Sequence, residues 1–173
     1  AKAVTSGYIP LGGVMVGNRV AEVLIEQGGE FAHGYTYSGH PVACAVALAN
    51  LDLMEREQLP QRVNGEVGAY FAQRYAELNN HPLVGGAQSC GFVAGLLLLK
   101  DPSTHERFPS DAGVGMMCRK HCFENGLIMR AVGDRMIIAP PLTLSITEID
   151  ELMRLIRIAL DLTLDELSSK GLR

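Results

Sequence analysis

Apolar and polar positions alternate between two spacings along the chain, and the change from one to the other marks out its elements. Tyr8 to Gly17, YIPLGGVMVG, mixes Pro10, Gly12 and Gly13 with an apolar run through Val16, which predicts a loop feeding a short buried strand. Asn18 can cap a helix carrying Val20, Val23 and Leu24 inward and ending at Gly28-Gly29. Pro41 opens a second, long and mostly buried helix, PVACAVALANLDLMERE, with proline in the first turn, where its missing N–H is not needed. Gln58-Leu59-Pro60 interrupts it. Helical spacing resumes from Val63 to Leu78 through Val67, Tyr70, Phe71 and Tyr75.

Beyond Asn79-Asn80-His81-Pro82 the pattern shortens. After Val84-Gly-Gly, the run GFVAGLLLLK, Gly91 to Lys100, is a strand candidate, followed by a charged loop from Asp101 to Ser110. Ala112 to Glu124 reads as a helix with Val114, Met117, Cys118, His121 and Cys122 inward, closed by Asn125-Gly126. Two short strands, Leu127 to Arg130 and Arg135 to Ala139, flank Val132-Gly133-Asp134, a hairpin signal ended by Pro140-Pro141. Thr147 with Asp150 begins a last amphipathic helix, its stripe Ile149, Leu152, Met153, Ile156, Ile158 and Leu160. Helices alternating with short strands indicate an α/β or α+β architecture, divided near residue 60. The front part, residues 1–60, lacks the partners to close a sheet, whereas residues 61–173 can form a sandwich of strands and covering helices.

Composition narrows the classes. A chain of 173 residues, 47% hydrophobic and 20% charged, can bury a real core. With a formal net charge of -4 and scattered Lys and Arg, it carries no footprint for nucleic acid. No apolar run is long enough to cross a bilayer, no signal peptide opens the chain, and the expected location is cytoplasmic. The start without Met points to a partial chain. Cys44, Cys90, Cys118 and Cys122 are expected reduced. CRKHC could offer ligands from one helix face, but no second pair sits at finger-like spacing, and no metal is expected.

Three segments could carry chemistry. Lys2 precedes the Gly/Pro loop; an amine forms an imine with an aldehyde only when unprotonated, which apolar surroundings favour. Its local sequence fits a solvated surface lysine better. HGYTYSGHP, His33 to Pro41, puts hydroxyls and histidines ahead of a helix start, where unpaired N–H groups and the helix dipole favour an anion. A polar turn with Ser38 as the cap is the plainer alternative. A hydrolase using Ser38 with His33 or His40 lacks a nucleophile elbow and an acid partner. Arg130, ending LIMR, suits a carboxylate held by two parallel hydrogen bonds, or else an ordinary pairing with Asp134.

AKAVTSGYIPLGG resembles the lysine loop of class III pyridoxal-phosphate-dependent aminotransferases. HGYTYSGHPVACAVALANL resembles their second signature, and FENGLIMRAVGDRMIIAPPL their substrate-arginine region. All three stand in family order, and the likeness extends over essentially the whole chain. GYTYSGHP and NGLIMRAVGD are similar to the amine–pyruvate and putrescine–pyruvate subgroup. The resemblance implies the C-terminal part of the fold type I of pyridoxal-phosphate enzymes: the end of the large cofactor domain at residues 1–60 and an α+β small domain at 61–173. It implies pyridoxal 5'-phosphate as cofactor, and Lys2 as the residue bonded to it that also shuttles the proton. Thr36, with Tyr35 beside it, would reach the cofactor phosphate, usually that of the neighbouring subunit. Arg130 would grip the carboxylate of a keto-acid acceptor and swing aside for a carboxylate-free amine donor. It further implies a homodimer or dimer of dimers.

The family's aspartate on the pyridine nitrogen, its ring-stacking aromatic residue and its glycine-rich phosphate loop would lie upstream of Ala1, so the chain alone is expected to be inactive. Another class III reaction (a 2-oxoglutarate-dependent aminotransferase, an aminomutase or a decarboxylase) and a noncatalytic folded module remain as alternatives.

Overall fold

A computed structural model describes residues 4–173. The chain forms two compact units, residues 1–58 and 59–173.

The first unit is helical among its described residues. Helix α1 spans Asn18–Glu26 and α2 spans Pro41–Arg56. The buried strand expected through Val16 is absent: Val14, Met15 and Val16 are exposed. A strand needs a neighbour to take its N–H and C=O groups, and no strand lies among residues 4–58. The stripe Val20, Val23 and Leu24 forms as the spacing predicts but is exposed, and Gly17, not Asn18, is the N-cap of α1. In α2, Pro41 occupies the first turn as expected, yet only Ala43 and Ala47 are buried. An apolar helix is hidden only where another surface covers it.

The second unit begins with α3, Leu59–Asn64, with Pro60 in its first turn, and α4, Glu66–Ala76, followed by a 3-10 turn over Glu77–Asn80. The single helix expected over Val63 to Leu78 is thus broken at Gly65, the N-cap of α4. The break is tight, since a Cβ on Gly68 would lie 1.7 Å from the Val63 carbonyl oxygen.

Strands β1, Val84–Cys90, β2, Val93–Leu98, β3, Arg130–Val132, and β4, Arg135–Ile138, form a wholly antiparallel sheet in the order β1-β2-β4-β3. The strand within Gly91 to Lys100 is present. Its partner β1, VGGAQSC, has little β-branched or aromatic character and is defined by the pairing, a non-local cause that residue types do not display. The hairpin at Gly133-Asp134 also forms, but β3 starts at Arg130; buried Leu127 and Met129 lead into it instead of pairing.

Between β2 and β3 runs α5, Val114–Glu124. Its end is a Schellman closure, with Leu127 N–H donating to the Cys122 carbonyl (2.9 Å), Gly126 N–H to that of Phe123 (3.2 Å), and Gly126 at φ +81°. The final helix α6 spans Ile146–Ser169. It starts two residues earlier than expected: Ser145 is the N-cap in a reciprocal box with Glu148, and Asp150 instead accepts hydrogen bonds from the Tyr70 hydroxyl (2.7 Å) and Arg74 Nε (2.9 Å).

Helix α4 lies against β1, α5 against β3 and β4, and α6 against α4 and α5. One core results, through Phe71, Tyr75, Phe92, Leu96, Leu98, Met136, Met153 and Leu160 among others. Ile149, Leu152, Met153, Ile156 and Leu160 are buried as the stripe predicts, while Ile158 is half-buried. Strand alternation leaves the other sheet face open. Met136 and Ile138 point into the core, whereas Arg130 and Val132, cross-strand partners of Ile137 and Arg135, share the outer face. Among the described residues no helix is long and apolar enough to cross a membrane.

Candidate active site

Lys2 lies outside the described residues. The chain that follows it is held locally: the buried Thr5 hydroxyl donates to the Ile9 carbonyl (2.6 Å), and Tyr8 N–H donates to the Thr5 carbonyl (3.0 Å). Asn50, on α2, donates from Nδ2 to the Val4 carbonyl (3.1 Å). A side chain 46 residues away in sequence thereby tethers the backbone two residues from Lys2. Hydropathy gave no hint of that role, because an Asn inside a helix reads as a neutral surface residue.

The segment His33 to His40 is an open turn stabilised by its own groups. Ser38 N–H donates to the Tyr35 carbonyl (2.9 Å) and Tyr35 N–H to the Ser38 hydroxyl oxygen (3.0 Å). The cap of α2 is His40, whose Nδ1 accepts from Ala43 N–H (3.4 Å), in place of the Ser38 cap that the sequence suggests. No hydrogen bond joins Ser38 to His33 or His40 among the described residues, so the turn shows no assembled nucleophile–base pair.

What the turn offers outward is hydroxyls. Tyr35 is 78% exposed, Thr36 is exposed, and neither hydroxyl has a partner among the described residues. An unspent aliphatic hydroxyl beside a helix start suits a phosphate oxygen, so the donor set fits the phosphate end of pyridoxal phosphate.

Arg130, in the second unit, is exposed on the outer sheet face and forms no ion pair among the described residues. The alternative pairing with Asp134 does not occur: Asp134 Oδ1 accepts instead from Gly115 N–H at 3.2 Å. Arg130 is thus an unpaired guanidinium on a short edge strand, able to take a carboxylate in a bidentate grip.

CRKHC does not converge on a metal position. His121 Nε2 faces Glu166 at 2.8 Å, while Cys118 and Cys122 are buried in the core, and no metal-competent cluster occurs among the described residues.

The chain as a whole is similar to known proteins. Putrescine–pyruvate aminotransferase of Pseudomonas aeruginosa is 57% identical over 163 residues, covering 94% of this chain and 35% of that enzyme. Diaminobutyrate–2-oxoglutarate transaminase of Halomonas elongata is 41% identical over 177 residues, 99% of this chain and 38% of that one. A solved PLP-bound aminotransferase mutant from Vibrio fluvialis superposes with a TM-score of 0.89 at 32% identity, over 95% of this chain and 37% of its own. The chain spans about a third of the length of the curated relatives it matches. Residues 1–160 match the family described as aminotransferase class III, and the chain belongs to that family, whose cofactor is pyridoxal phosphate.

Proposed function

We propose that the protein carrying this sequence is a transaminase that moves an amino group from a diamine or omega-amino compound to pyruvate. The observation that carries this reading is the identity to the putrescine–pyruvate enzyme, well above that to the 2-oxoglutarate-using relative. Residues 1–60 are then the end of the cofactor domain and 61–173 the small domain.

Bound pyridoxal phosphate supplies the electron sink for the substrate carbon. The chain's own residues do the rest. Lys2 Nζ would hold the cofactor covalently and, once free, would take the proton from the substrate carbon as the neutral amine and return it as the ammonium. Thr36 donates its hydroxyl to the phosphate, with Tyr35 beside it; in a homodimer that phosphate belongs to the partner's site. Arg130 takes the keto-acid carboxylate and leaves the pocket when an amine without a carboxylate enters. The exposure of Tyr35, Thr36 and Arg130 supports these roles, since each group is presented outward and unspent.

A 2-oxoglutarate acceptor is the second reading, favoured by the diaminobutyrate relative that matches 99% of the chain. The test uses the protein carrying this sequence, loaded with cofactor, and a panel of amines with each keto acid. Alanine formed from pyruvate and putrescine is expected, with borohydride trapping the cofactor on the Lys2 peptide. Glutamate from 2-oxoglutarate without alanine would replace the pyruvate reading. A borohydride adduct on any other lysine would remove Lys2 from its role.

A further inference from the structure

We propose that Asp134 is a positioning residue for Arg130, fastening the β3–β4 hairpin, whose first strand carries Arg130, to the start of α5. The proposal rests on the reading of Arg130 as the keto-acid grip.

The first turn of α5 has no cap from its own flank. Its N-cap is Gly113, in the left-handed region at φ +61°, and it has no side chain to offer. The missing acceptor comes from 19 residues downstream, where Asp134 Oδ1 takes the Gly115 N–H at 3.2 Å. A carboxylate there is also favoured by the partial positive charge of a helix N-terminus. The same residue is tied to the sheet through its backbone, since its carbonyl accepts from Leu98 N–H at 2.9 Å. Asp134 therefore joins β2, the hairpin turn and α5.

Gly115 shows how close that junction is. A Cβ at Gly115 would lie 2.0 Å from the Gly133 carbonyl oxygen, so helix and turn meet backbone to backbone. Gly133 itself turns at φ +55°. Arg130 stands at the other end of the same short strand, on the sheet edge, with pairing only to β4. An edge strand of three residues has few bonds of its own to hold it, and the contact at Asp134 supplies the anchor.

Arg130 itself forms no ion pair among the described residues, so the strand that the contact anchors presents an unspent guanidinium.

The experiment compares Asp134→Ala, Asp134→Asn and Arg130→Ala in the cofactor-loaded protein that carries this sequence. In a two-step transfer kcat/KM for each substrate reports its own half-reaction. Losing a helix cap and its anchor lowers the population of the presenting hairpin, so Asp134→Ala should lower kcat/KM for pyruvate by about fivefold. The value for putrescine, which has no carboxylate, should hold. Asp134→Asn keeps an oxygen acceptor for Gly115 N–H and should restore the pyruvate value. Hydrogen exchange at Gly115 should quicken in the Ala variant and not in the Asn variant.

Equal losses for both substrates, no loss for pyruvate, or an Asn variant no better than Ala would each overturn the proposal. If Arg130→Ala leaves the pyruvate value intact, the reading of Arg130 fails instead. If Arg130→Ala lowers it and Asp134→Ala does not, Asp134 alone is wrongly assigned.

Discussion

His81 Nδ1 accepts a hydrogen bond from the backbone N–H of buried Leu83 at 3.1 Å. A ring nitrogen that accepts carries no proton, so the other nitrogen, Nε2, holds it and faces Asp161 Oδ1 at 3.2 Å. His81 is itself buried, and the geometry selects its neutral form.

Burial pushes the His81 pKa down, with Arg173 and Arg157 adding to the fall and the hydrogen bond and charge of Asp161 opposing it. The folded state thus binds the proton less readily than the unfolded chain does. Stability from this group is complete above the unfolded value of about 6.5 and is lost as pH falls through it towards the lower folded value. Melting temperature should decline below about pH 6.5, and His81→Asn should flatten that decline, because Asn can still accept from Leu83 without titrating. An unchanged slope in the variant would discard the assignment.

Phe71 is fully buried, its ring 5.7 Å from that of Tyr75 and 5.1 Å from that of Phe92. Phe71→Ala should lower the unfolding free energy by about 3–5 kcal/mol in a denaturant titration. Tyr75 predicts the opposite sign. Its hydroxyl is buried with no partner among the described residues, and burial raises its pKa strongly. Tyr75→Phe removes an unsatisfied polar atom and should leave stability equal or higher. A marked loss would reveal a partner for that hydroxyl.

Ser145 closes the start of α6 by accepting from Glu148 N–H (3.2 Å), while the Glu148 carboxylate accepts from Ser145 N–H (2.7 Å). Ser145→Ala should cost about 1 kcal/mol, and Thr147→Ala much less. The reverse order would restore the cap to Thr147.

Several of these positions were legible from residue type. Pro41 announced its helix start, and Asn125-Gly126 ended α5 because glycine takes the left-handed conformation that a Schellman closure needs. Arg130 and the motifs around Lys2 and Thr36 were legible through family resemblance, and the match over residues 1–160 bears out the family. The roles of those residues remain proposals. Asp134 was visible only as a turn residue or a partner for Arg130, since a carboxylate's choice among donors depends on which one the fold brings near.

Residue order alone specifies the apolar periodicity of α4, α5 and α6, the hairpin at Gly133-Asp134 and the family. These are local patterns, or long motifs whose order is written in the chain. That VGGAQSC is a strand and that Val14, Met15 and Val16 are not follows from long-range pairing. A strand exists through its partners, and β1 has β2, whereas no strand is described among residues 4–58. Burial obeys the same rule: α6 hides its stripe because α4 and α5 cover it, while Val20 and Val23 of α1 meet no such surface within their unit.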